Sequence, residues 1–480
     1  MERKGISEDW LSVWIGLLFF VLALGVLAGT DVLGWVITTG VWTDVSKALA
    51  PISKAYAGLG GVGALVTTYV VLLVVMTAGA AALKADIKRF ALGFTAVFWL
   101  SYLCWIAGSW ANFAVTTPAD MQKFGISWSL RLTAEGGFIV ALLVGLVIGN
   151  FMPGLAEWMK EAIRPELYIK TAIVILGGFL GVTAAEKLGL ATALMFRGIA
   201  AIIEAYLIYW AVVYFVARKW FKFSREWAAP LASGISICGV SAAIATGSAI
   251  RARPVVAIMV SSLVVIFAVV ELLILPFAAQ VFLSHEPMVA GAWMGLAVKT
   301  DGAAVASGAI TESLILAAAA AKGVVYQKGW IVGTTATVKV FIDIFIGIWA
   351  FILAYIWTTR IEVREGDKAK VGEIWERFPK FIIGYVVTFA LILILALGAT
   401  PELTGKIKAA MGEANTFRGI FFVMTFFTIG VMSNFKKLWE EGIGRLAAVY
   451  LLCLFGFVIW VGLAISFIFF AGVMPPLAAS

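Results

Sequence analysis

Residues 234–250 read GISICGVSAAIATGSAI and form the centre of an apolar, membrane-sized segment, 226–250. Both ends of that segment are basic, with Arg225 just before it and Arg251 just after it. Basic loops of membrane proteins stay in the cytoplasm, so a simple crossing would leave one basic end outside. The glycines and serines in the middle favour a break, and the sequence therefore predicts a re-entrant hairpin or a strongly broken helix. Non-helical backbone survives at membrane depth only where protein or water satisfies its polar groups, which makes the break a candidate ligand site.

Composition places the rest of the chain in a membrane as well. Of its 480 residues, 62% are hydrophobic and 13% are charged, and the mean hydropathy is +1.01. A soluble domain is about half apolar and about a quarter charged, so this chain has too little polar surface to cover a water-soluble globule. The net charge of +8 lies in short loops between apolar runs, a pattern that sets membrane orientation and does not indicate nucleic-acid binding.

A helix needs about 20 apolar residues to cross the hydrocarbon core. We predict an all-α integral membrane protein with about 11 transmembrane helices and two further broken or re-entrant segments. The candidate spans are 10–29, 62–83, 90–113, 136–152, 168–187, 193–217, 254–283, 330–359, 380–399, 416–434 and 446–472. The segments that join these spans, called joints below, hold fewer basic residues at 30–61, 114–135, 284–289 and 400–414 than elsewhere. This charge pattern predicts a multi-pass protein with a cytoplasmic N-terminus and a C-terminus outside.

One long hydrophilic stretch, 360–380, predicts a cytoplasmic linker between two bundles. The predicted organisation is therefore N-terminal helices over 1–135, a transporter core with both breaks over 136–359, and C-terminal helices over 381–480 that complete an inverted repeat.

A second copy of the opening stretch lies further along the chain. Residues 241–247 read SAAIATG and residues 302–308 read GAAVASG, and the alignment extends upstream without a gap over 234–240 and 295–301. The second copy follows the outside loop at 284–286, so it is predicted to enter from the opposite face. Inverted repeats whose broken helices meet near the midplane are typical of secondary transporters. The alternative is that these small-residue strings are helix-packing seams.

The residue types at the breaks favour an anion site. Each break is predicted to present a helix N-terminus, which offers free N–H groups and a positive dipole end. Thr300 and Asp301 have N-cap character, and Lys299 adds a full positive charge. The candidate substrate-binding residues are Ser236, Cys238, Gly239, Ser241, Lys299, Thr300, Gly302 and Lys339, and the candidate coupling residues are Asp301 and Asp343.

Lys339 is predicted to lie near the middle of the membrane, because it is about nine residues into its helix. A cation at that depth needs a partner, and Asp343 stands four residues on, at the spacing that brings two helical side chains together. The alternative to a role in binding is that Lys339 and Asp343 form a structural pair whose charges only neutralise each other. Glu204 and Glu271 are lone acids on apolar helices, predicted either to make polar helix contacts or to couple protons.

Signatures of other functions are missing from the sequence. It has no phosphate-binding G-x-x-x-x-G-K-[ST] loop, and its single histidine, His285, and three cysteines suggest neither a metal site nor disulfides. We therefore expect no enzyme activity, no cofactor and no metal, with H+ or Na+ as the candidate coupling ion. The expected partners are membrane lipid and a small anionic substrate, with a homodimer as the candidate assembly and no nucleic acid.

The string APLASGISICGVSAAIAT at 229–246 resembles the G-x-S-I-C-G-x-x-A signature of the sulfate-exporter (YeiH-like) family of bacterial inner-membrane proteins. The agreement continues at 141–150, 176–183, 338–340 and 430–438, and it covers about residues 136–475. The resemblance implies a fold in the class of cation/proton-antiporter and bile-acid-symporter-like transporters, in which a core domain moves against a scaffold. It also implies location in the bacterial inner membrane.

The chain departs from that family at the second break. Residues 298–303 read VKTDGA where the family has a V-H-E-V-A-Q-like string, so Lys299 stands in place of the histidine while an acid remains. This difference leaves the substrate and its coupling open. Residues 1–135 also exceed what the family typically carries.

Three functions are consistent with these patterns. The first is a secondary active transporter of a small anion such as sulfate, a sulfonate or a related oxyanion, working by alternating access. The second is an organic-acid or cation/proton exchanger in which Asp301 and Asp343 carry the ion. The third is a non-transporting membrane scaffold or sensor, for which the breaks would be packing seams only.

Overall fold

Most of the chain is helical, as predicted. The computed structural model describes residues 6–115, 118–130, 136–186, 203–361, 380–432 and 443–477. Within these ranges eight helices are long and apolar enough to cross a membrane, or nine with a bent pair, Gly136–Phe151 and Pro153–Ala162, counted as one span. The multi-pass helical architecture is thus confirmed, whereas the predicted count of about 11 spans exceeds what the described ranges contain. The candidate span 193–217 lies partly outside them.

The helices are numbered here in chain order. The first eight are α1 (Glu8–Ala23), α2 (Gly60–Ala82), α3 (Ile87–Gly108), α4 (Ala111–Ala114), α5 (Pro118–Lys123), α6 (Gly136–Phe151), α7 (Pro153–Met159) and α8 (Pro165–Glu186). The next eight are α9 (Trp210–Phe215, with π-helical turns Glu204–Tyr209 and Val216–Trp220 beside it), α10 (Arg225–Ser236), α11 (Gly239–Ala249), α12 (Pro254–Leu283), α13 (Pro287–Ala297), α14 (Asp301–Ala320), α15 (Trp330–Ile344) and α16 (Ile346–Ile356). The last four are α17 (Lys380–Ala396), α18 (Pro401–Met432), α19 (Ile443–Cys453) and α20 (Ile459–Phe470).

Two short strands are an exception to the predicted all-α fold. In the joint at 30–61, β1 (Ile37–Thr39) pairs antiparallel with β2 (Leu49–Pro51), with Thr38 opposite Ala50. The β-branched run Ile-Thr-Thr of β1 favours extended backbone, which explains why this loop forms a small hairpin.

The joint at 400–414 is helical, because α18 begins at Pro401 and continues into the predicted span 416–434. Thr400 accepts the backbone N–H of Leu403 at 3.3 Å, and Pro401 fits the first helical turn, where no N–H partner is needed. Glu402 and Lys406 then form an i,i+4 ion pair at 2.9 Å. The capping residues therefore start the helix before the apolar span begins.

The chain divides into two compact units. The first comprises Met1–Ala191 and Lys380–Asn434, and the second Thr192–Pro379 and Phe435–Ser480. This grouping differs from the linear segments of the prediction, in which 136–359 was one core and 381–480 one C-terminal bundle. Each unit combines distant parts of the chain, because helix packing and not chain order decides which helices belong together.

Close helix packing holds the first unit together. Helices α6 and α18 approach so closely that a Cβ on Gly145 would lie 2.2 Å from the carbonyl oxygen of Phe427, and a Cβ on Gly430 would lie 2.4 Å from that of Leu142. Small residues permit such contacts between membrane helices. Gly145 and Gly430 lie in 141–150 and 430–438, two of the stretches that carry the family resemblance. These two glycines therefore have a packing role.

The second unit contains both predicted breaks. Here α13 is held against its neighbours by polar contacts in the core: Thr335 on α15 donates to the carbonyl oxygen of Gly291 at 2.7 Å, and the Trp293 indole donates to that of Ile459 at 2.8 Å. Every residue of α13 is buried. The half-helix before the second break is therefore fixed on two sides.

Candidate functional site

The first break lies between α10 and α11. Helix α10 ends at Ser236, Ile237 has φ −107° and ψ −97°, and α11 begins at Gly239. The break therefore falls within the predicted Gly- and Ser-rich stretch, and α11 opens at the predicted glycine. Gly239 has a φ of +38°, a conformation that glycine adopts without strain.

After this break the chain turns back on itself. Glu226, at the start of α10, accepts hydrogen bonds from the backbone N–H and the Nε of Arg253, at 2.8 and 2.9 Å. Midway along, Thr246 and Ser233 are joined through their hydroxyl groups at 2.6 Å. Helix α11 thus runs antiparallel to α10, and the segment returns to the end at which it began, which corresponds to the hairpin of the two alternatives that the sequence left open.

The second break lies between α13 and α14. Helix α13 ends at Ala297, and Thr300 is the N-cap of α14, with its hydroxyl accepting the N–H of Ala303 at 3.4 Å. The predicted N-cap role of Thr300 is confirmed. Asp301 and Gly302 begin α14, and their side-chain environment, like that of Ser241, lies outside what the structure describes.

The two breaks touch each other. A Cβ on Gly239 would lie 3.1 Å from the carbonyl oxygen of Lys299 and 3.2 Å from Cγ2 of Thr300. The ammonium group of Lys339 joins both breaks, donating to the carbonyl oxygens of Ile237 at 2.7 Å and Lys299 at 3.2 Å. Six predicted site residues therefore cluster at or next to one point: Ser236, Cys238, Gly239, Lys299, Thr300 and Lys339.

Lys339 is 2% exposed and faces the C-terminal ends of two half-helices. Its two carbonyl partners follow the last residues of α10 and α13, where the helix dipoles are negative. The cation thus stabilises the ends of both half-helices. Asp343 is also buried, one turn further along α15, and its pairing with Lys339 stays a prediction.

Lys299 is 1% exposed and makes a different set of contacts. Its ammonium group donates to the carbonyl oxygen of Leu296 and lies 4.8 Å from the ring centroid of Tyr209, a cation–π distance. The Tyr209 hydroxyl in turn donates to the carboxylate of Glu204. The backbone N–H of Lys299 donates to Oε2 of Glu271 at 3.1 Å.

The sequence singled out Glu204 and Glu271 only as lone acids, and it missed Tyr209 altogether. Both acids are fully buried and next to Lys299. An acid inside an apolar helix is a visible signal. The sequence does not show that Glu204 bonds to Tyr209 within one π-helical turn, or that Glu271 bonds to the backbone of the second break. Ser236 is also fully buried, and among the described residues its hydroxyl has no hydrogen-bond partner.

Within the described ranges no group of three or more His, Cys, Asp or Glu side chains is arranged to hold a metal ion. Among the described residues, the polar groups of the site are two lysines, three acids, a tyrosine, the Ser236 hydroxyl and the buried ends of four half-helices. Such a site can bind a charged species or a proton.

Several membrane-spanning helices and two broken helices that meet in the interior define a polytopic α-helical membrane protein. A family model described as "Conserved hypothetical protein 698" matches residues 126–449. A UPF0324 membrane protein of Nitrosomonas europaea is 41% identical over 475 residues, which cover 98% of this chain and 97% of that protein. The chain belongs to the UPF0324 membrane protein family.

Other relatives match parts of the chain. An uncharacterized protein of Archaeoglobus fulgidus is 51% identical over 162 residues, 30% of this chain and 87% of that protein. A UPF0324 membrane protein of Rhodopirellula baltica is 32% identical over 320 residues, 65% of this chain and 54% of that protein. No solved structure matches the chain. The family model begins at residue 126, so the first helices are outside it, but the Nitrosomonas relative matches over almost the whole chain.

Proposed function

We propose that the protein is a secondary active transporter of a small anion, such as sulfate, a sulfonate or a related oxyanion, that works by alternating access in the bacterial inner membrane. The observation that carries this proposal is the contact between two broken helices at two buried lysines. Burying a lysine at the middle of a membrane costs about 2.5–3.5 kcal/mol on insertion scales. Polar breaks and buried cations at such a cost indicate a site for a polar ligand.

An anion fits the charges at the break. Helices α11 and α14 both begin there, so their first N–H groups and positive dipole ends lie near Lys299. The buried Ser236 hydroxyl supplies a further donor. We propose that the substrate-binding residues are those predicted from the sequence: Ser236, Cys238, Gly239, Ser241, Lys299, Thr300, Gly302 and Lys339.

The same proposal includes the transporter fold, the coupling residues, the orientation in the membrane and the assembly. The resemblance to the sulfate-exporter (YeiH-like) family supports the choice of oxyanion and the antiporter-like fold with an inverted repeat. Asp301 and Asp343 are the coupling residues that the sequence suggests, with H+ or Na+ as the coupling ion. A cytoplasmic N-terminus, a C-terminus outside and a homodimer complete the proposed arrangement.

A second function is favoured by the number of buried acids. Glu204, Glu271 and Asp343 are all buried near the breaks, against the two lysines. An organic-acid or cation/proton exchanger would use these carboxylates as its ion-binding groups. A non-transporting scaffold or sensor is the remaining alternative.

Transport by the purified protein in liposomes separates these functions. Labelled sulfate and an organic sulfonate are expected to enter by counterflow in protein-containing but not in empty liposomes. Lys299→Met should abolish the flux, while Lys322→Met, at an exposed position after α14, should leave it intact. Sodium-driven or potassium-driven proton movement without anion flux would support the exchanger. No flux of any of these ions would leave the scaffold as the better account.

A further inference from the structure

Among the described residues, five acidic or basic side chains are buried around the two breaks: Glu204, Glu271, Lys299, Lys339 and Asp343. If all were ionised, two positive charges would stand against three negative ones. An uncompensated buried charge is strongly unfavourable, so this set is closest to neutral when one of the acids holds a proton.

Glu271 is the acid whose contacts best suit that proton. Its carboxyl group is fully buried in the middle of α12, and Oε2 accepts the backbone N–H of Lys299 at 3.1 Å. The other oxygen, Oε1, is buried and has no hydrogen-bond partner among the described residues. The ammonium group of Lys299 does not donate a hydrogen bond to Oε1, because it donates to the carbonyl oxygen of Leu296 and lies against the ring of Tyr209.

The groups around Glu271 come from several elements. Lys299 and Lys339 are the nearby cations. Tyr450 on α19 lies within electrostatic reach of Glu271, stacks on Phe267 one turn earlier on α12 at 4.5 Å, and has a buried hydroxyl without a partner among the described residues. Helices α11 and α13 carry no titratable side chains. The remaining titratable side chains on helices packed against α12 are Arg225 and Glu226 on α10, Asp301 and Glu312 on α14, and Arg445 and Cys453 on α19.

Glu204 also has one buried oxygen, Oε2, without a hydrogen-bond partner among the described residues, but its other contacts differ from those of Glu271. It accepts a hydrogen bond from the Tyr209 hydroxyl, and the ammonium group of Lys299 lies on the ring of that same tyrosine. Hydrogen-bond donors and a nearby cation favour an ionised carboxylate. Glu204 therefore accepts its hydrogen bond from a polar side chain, whereas Glu271 accepts one from a backbone N–H. Both acids lie within electrostatic reach of Lys299, and Glu271 also of Lys339.

We propose that Glu271 is the proton-binding residue of this protein, which takes up one proton on Oε1 from one side of the membrane and releases it from the same oxygen to the other. Because Oε2 is bonded to the backbone of the second break, a shift of Lys299 changes the surroundings of the carboxyl group. Proton affinity is thereby tied to the conformation of the break. This proposal rests on the proposed transport function, and it assigns to Glu271 the role that the sequence suggested for Asp301.

Infrared difference spectroscopy of the purified full chain tests the proton directly, whether or not a substrate is known. Raising the pH is expected to remove a protonated-carboxyl band from the wild type and from Glu204→Gln, the matched buried acid. Glu271→Gln should lack that band, and Glu271→Asp should shift it. The proposal is overturned if the wild type has no such band, if the band persists unchanged in Glu271→Gln or Glu271→Asp, or if Glu204→Gln abolishes it.

Liposome transport then tests the coupling. Glu271→Gln is expected to retain sulfate counterflow without a gradient but to lose accumulation driven by a pH gradient, while Glu402→Gln, at an exposed acid outside the site, should keep both. Gradient-driven accumulation by Glu271→Gln would overturn the proposal. If the wild type moves no anion, the proposed function fails, and the infrared result alone decides whether Glu271 binds the proton.

Discussion

Replacing Gly239 by alanine tests the contact between the two breaks. Gly239 has a left-handed φ of +38°, and its missing side chain leaves room for the backbone of Lys299. An added Cβ would lie 2.4 Å from Cγ1 of Val264 and 3.1 Å from the carbonyl oxygen of Lys299. Val264 belongs to the long helix α12 and cannot move away without disturbing its own packing.

The expected loss has two parts. Left-handed backbone costs an L-residue about 1–2 kcal/mol, and overpacking a close-packed interior costs about 1–3 kcal/mol. Gly239→Ala should therefore lower the free energy of unfolding by about 2–5 kcal/mol. Gly247→Ala, in the same helix, is the matched control, because its Cβ would meet only Cβ of Ala257, at 3.4 Å. Alanine should be favoured there by about 0.5–1 kcal/mol.

Both variants can be measured by SDS titration in mixed micelles, with helix content followed by circular dichroism. The expected order of stability is Gly247→Ala at or above the wild type and Gly239→Ala well below it. If the two alanine variants unfold at the same SDS concentration, Gly239 does not lie in close contact with Val264 and Lys299. Substrate counterflow by the folded fraction of Gly239→Ala shows whether the contact between the two breaks matters for transport.

The remaining predictions concern Lys339 and the ends of the first hairpin. Lys339→Met removes the hydrogen-bond donor from two buried carbonyls, those of Ile237 and Lys299. Each unsatisfied carbonyl costs about 1–3 kcal/mol, so the free energy of unfolding should fall by about 2–6 kcal/mol. A variant as stable as the wild type in the same SDS titration would contradict this. Single cysteines at Arg225 and Arg251 should react with an impermeant maleimide from the same side of the membrane, because an ion pair joins the two ends of the hairpin. Labelling from opposite sides would mean a crossing helix.

The features that the sequence predicted well are local. The glycine and serine content of 234–242 located the first break, and the charges beside it left a re-entrant hairpin or a strongly broken helix as the two alternatives. Thr300 could be recognised as an N-cap because the cap is made with a backbone group three residues away. In each case the signal and the interaction lie within one short stretch of chain.

The features that the sequence could not provide are long-range. Lys339 bonds to a carbonyl 102 residues away, and Glu271 bonds to a backbone N–H 28 residues away on a different element. Periodicity shows that an acid or a lysine lies on an apolar helix, but not which helix it faces. For the same reason the grouping of α17 and α18 with the first unit could not be derived from chain order.

Helix dipoles explain why one cation stands where Lys339 does. The ends of α10 and α13 each carry about half a negative charge, so that two such ends brought together approach one full negative charge. A single ammonium group bonded to both ends balances it. The starts of α11 and α14 contribute a similar positive charge on the other side of the same breaks, with Asp301 in the first turn of α14. Because Lys339 already compensates the negative ends, the positive ends and Lys299 are left against the buried carboxylates of Glu204, Glu271 and Asp343. This placement gives Lys339 a role in holding the breaks together, besides the ligand contact proposed for it. It leaves Lys299 and the two positive helix ends as the groups proposed to attract an anion once Glu271 is protonated.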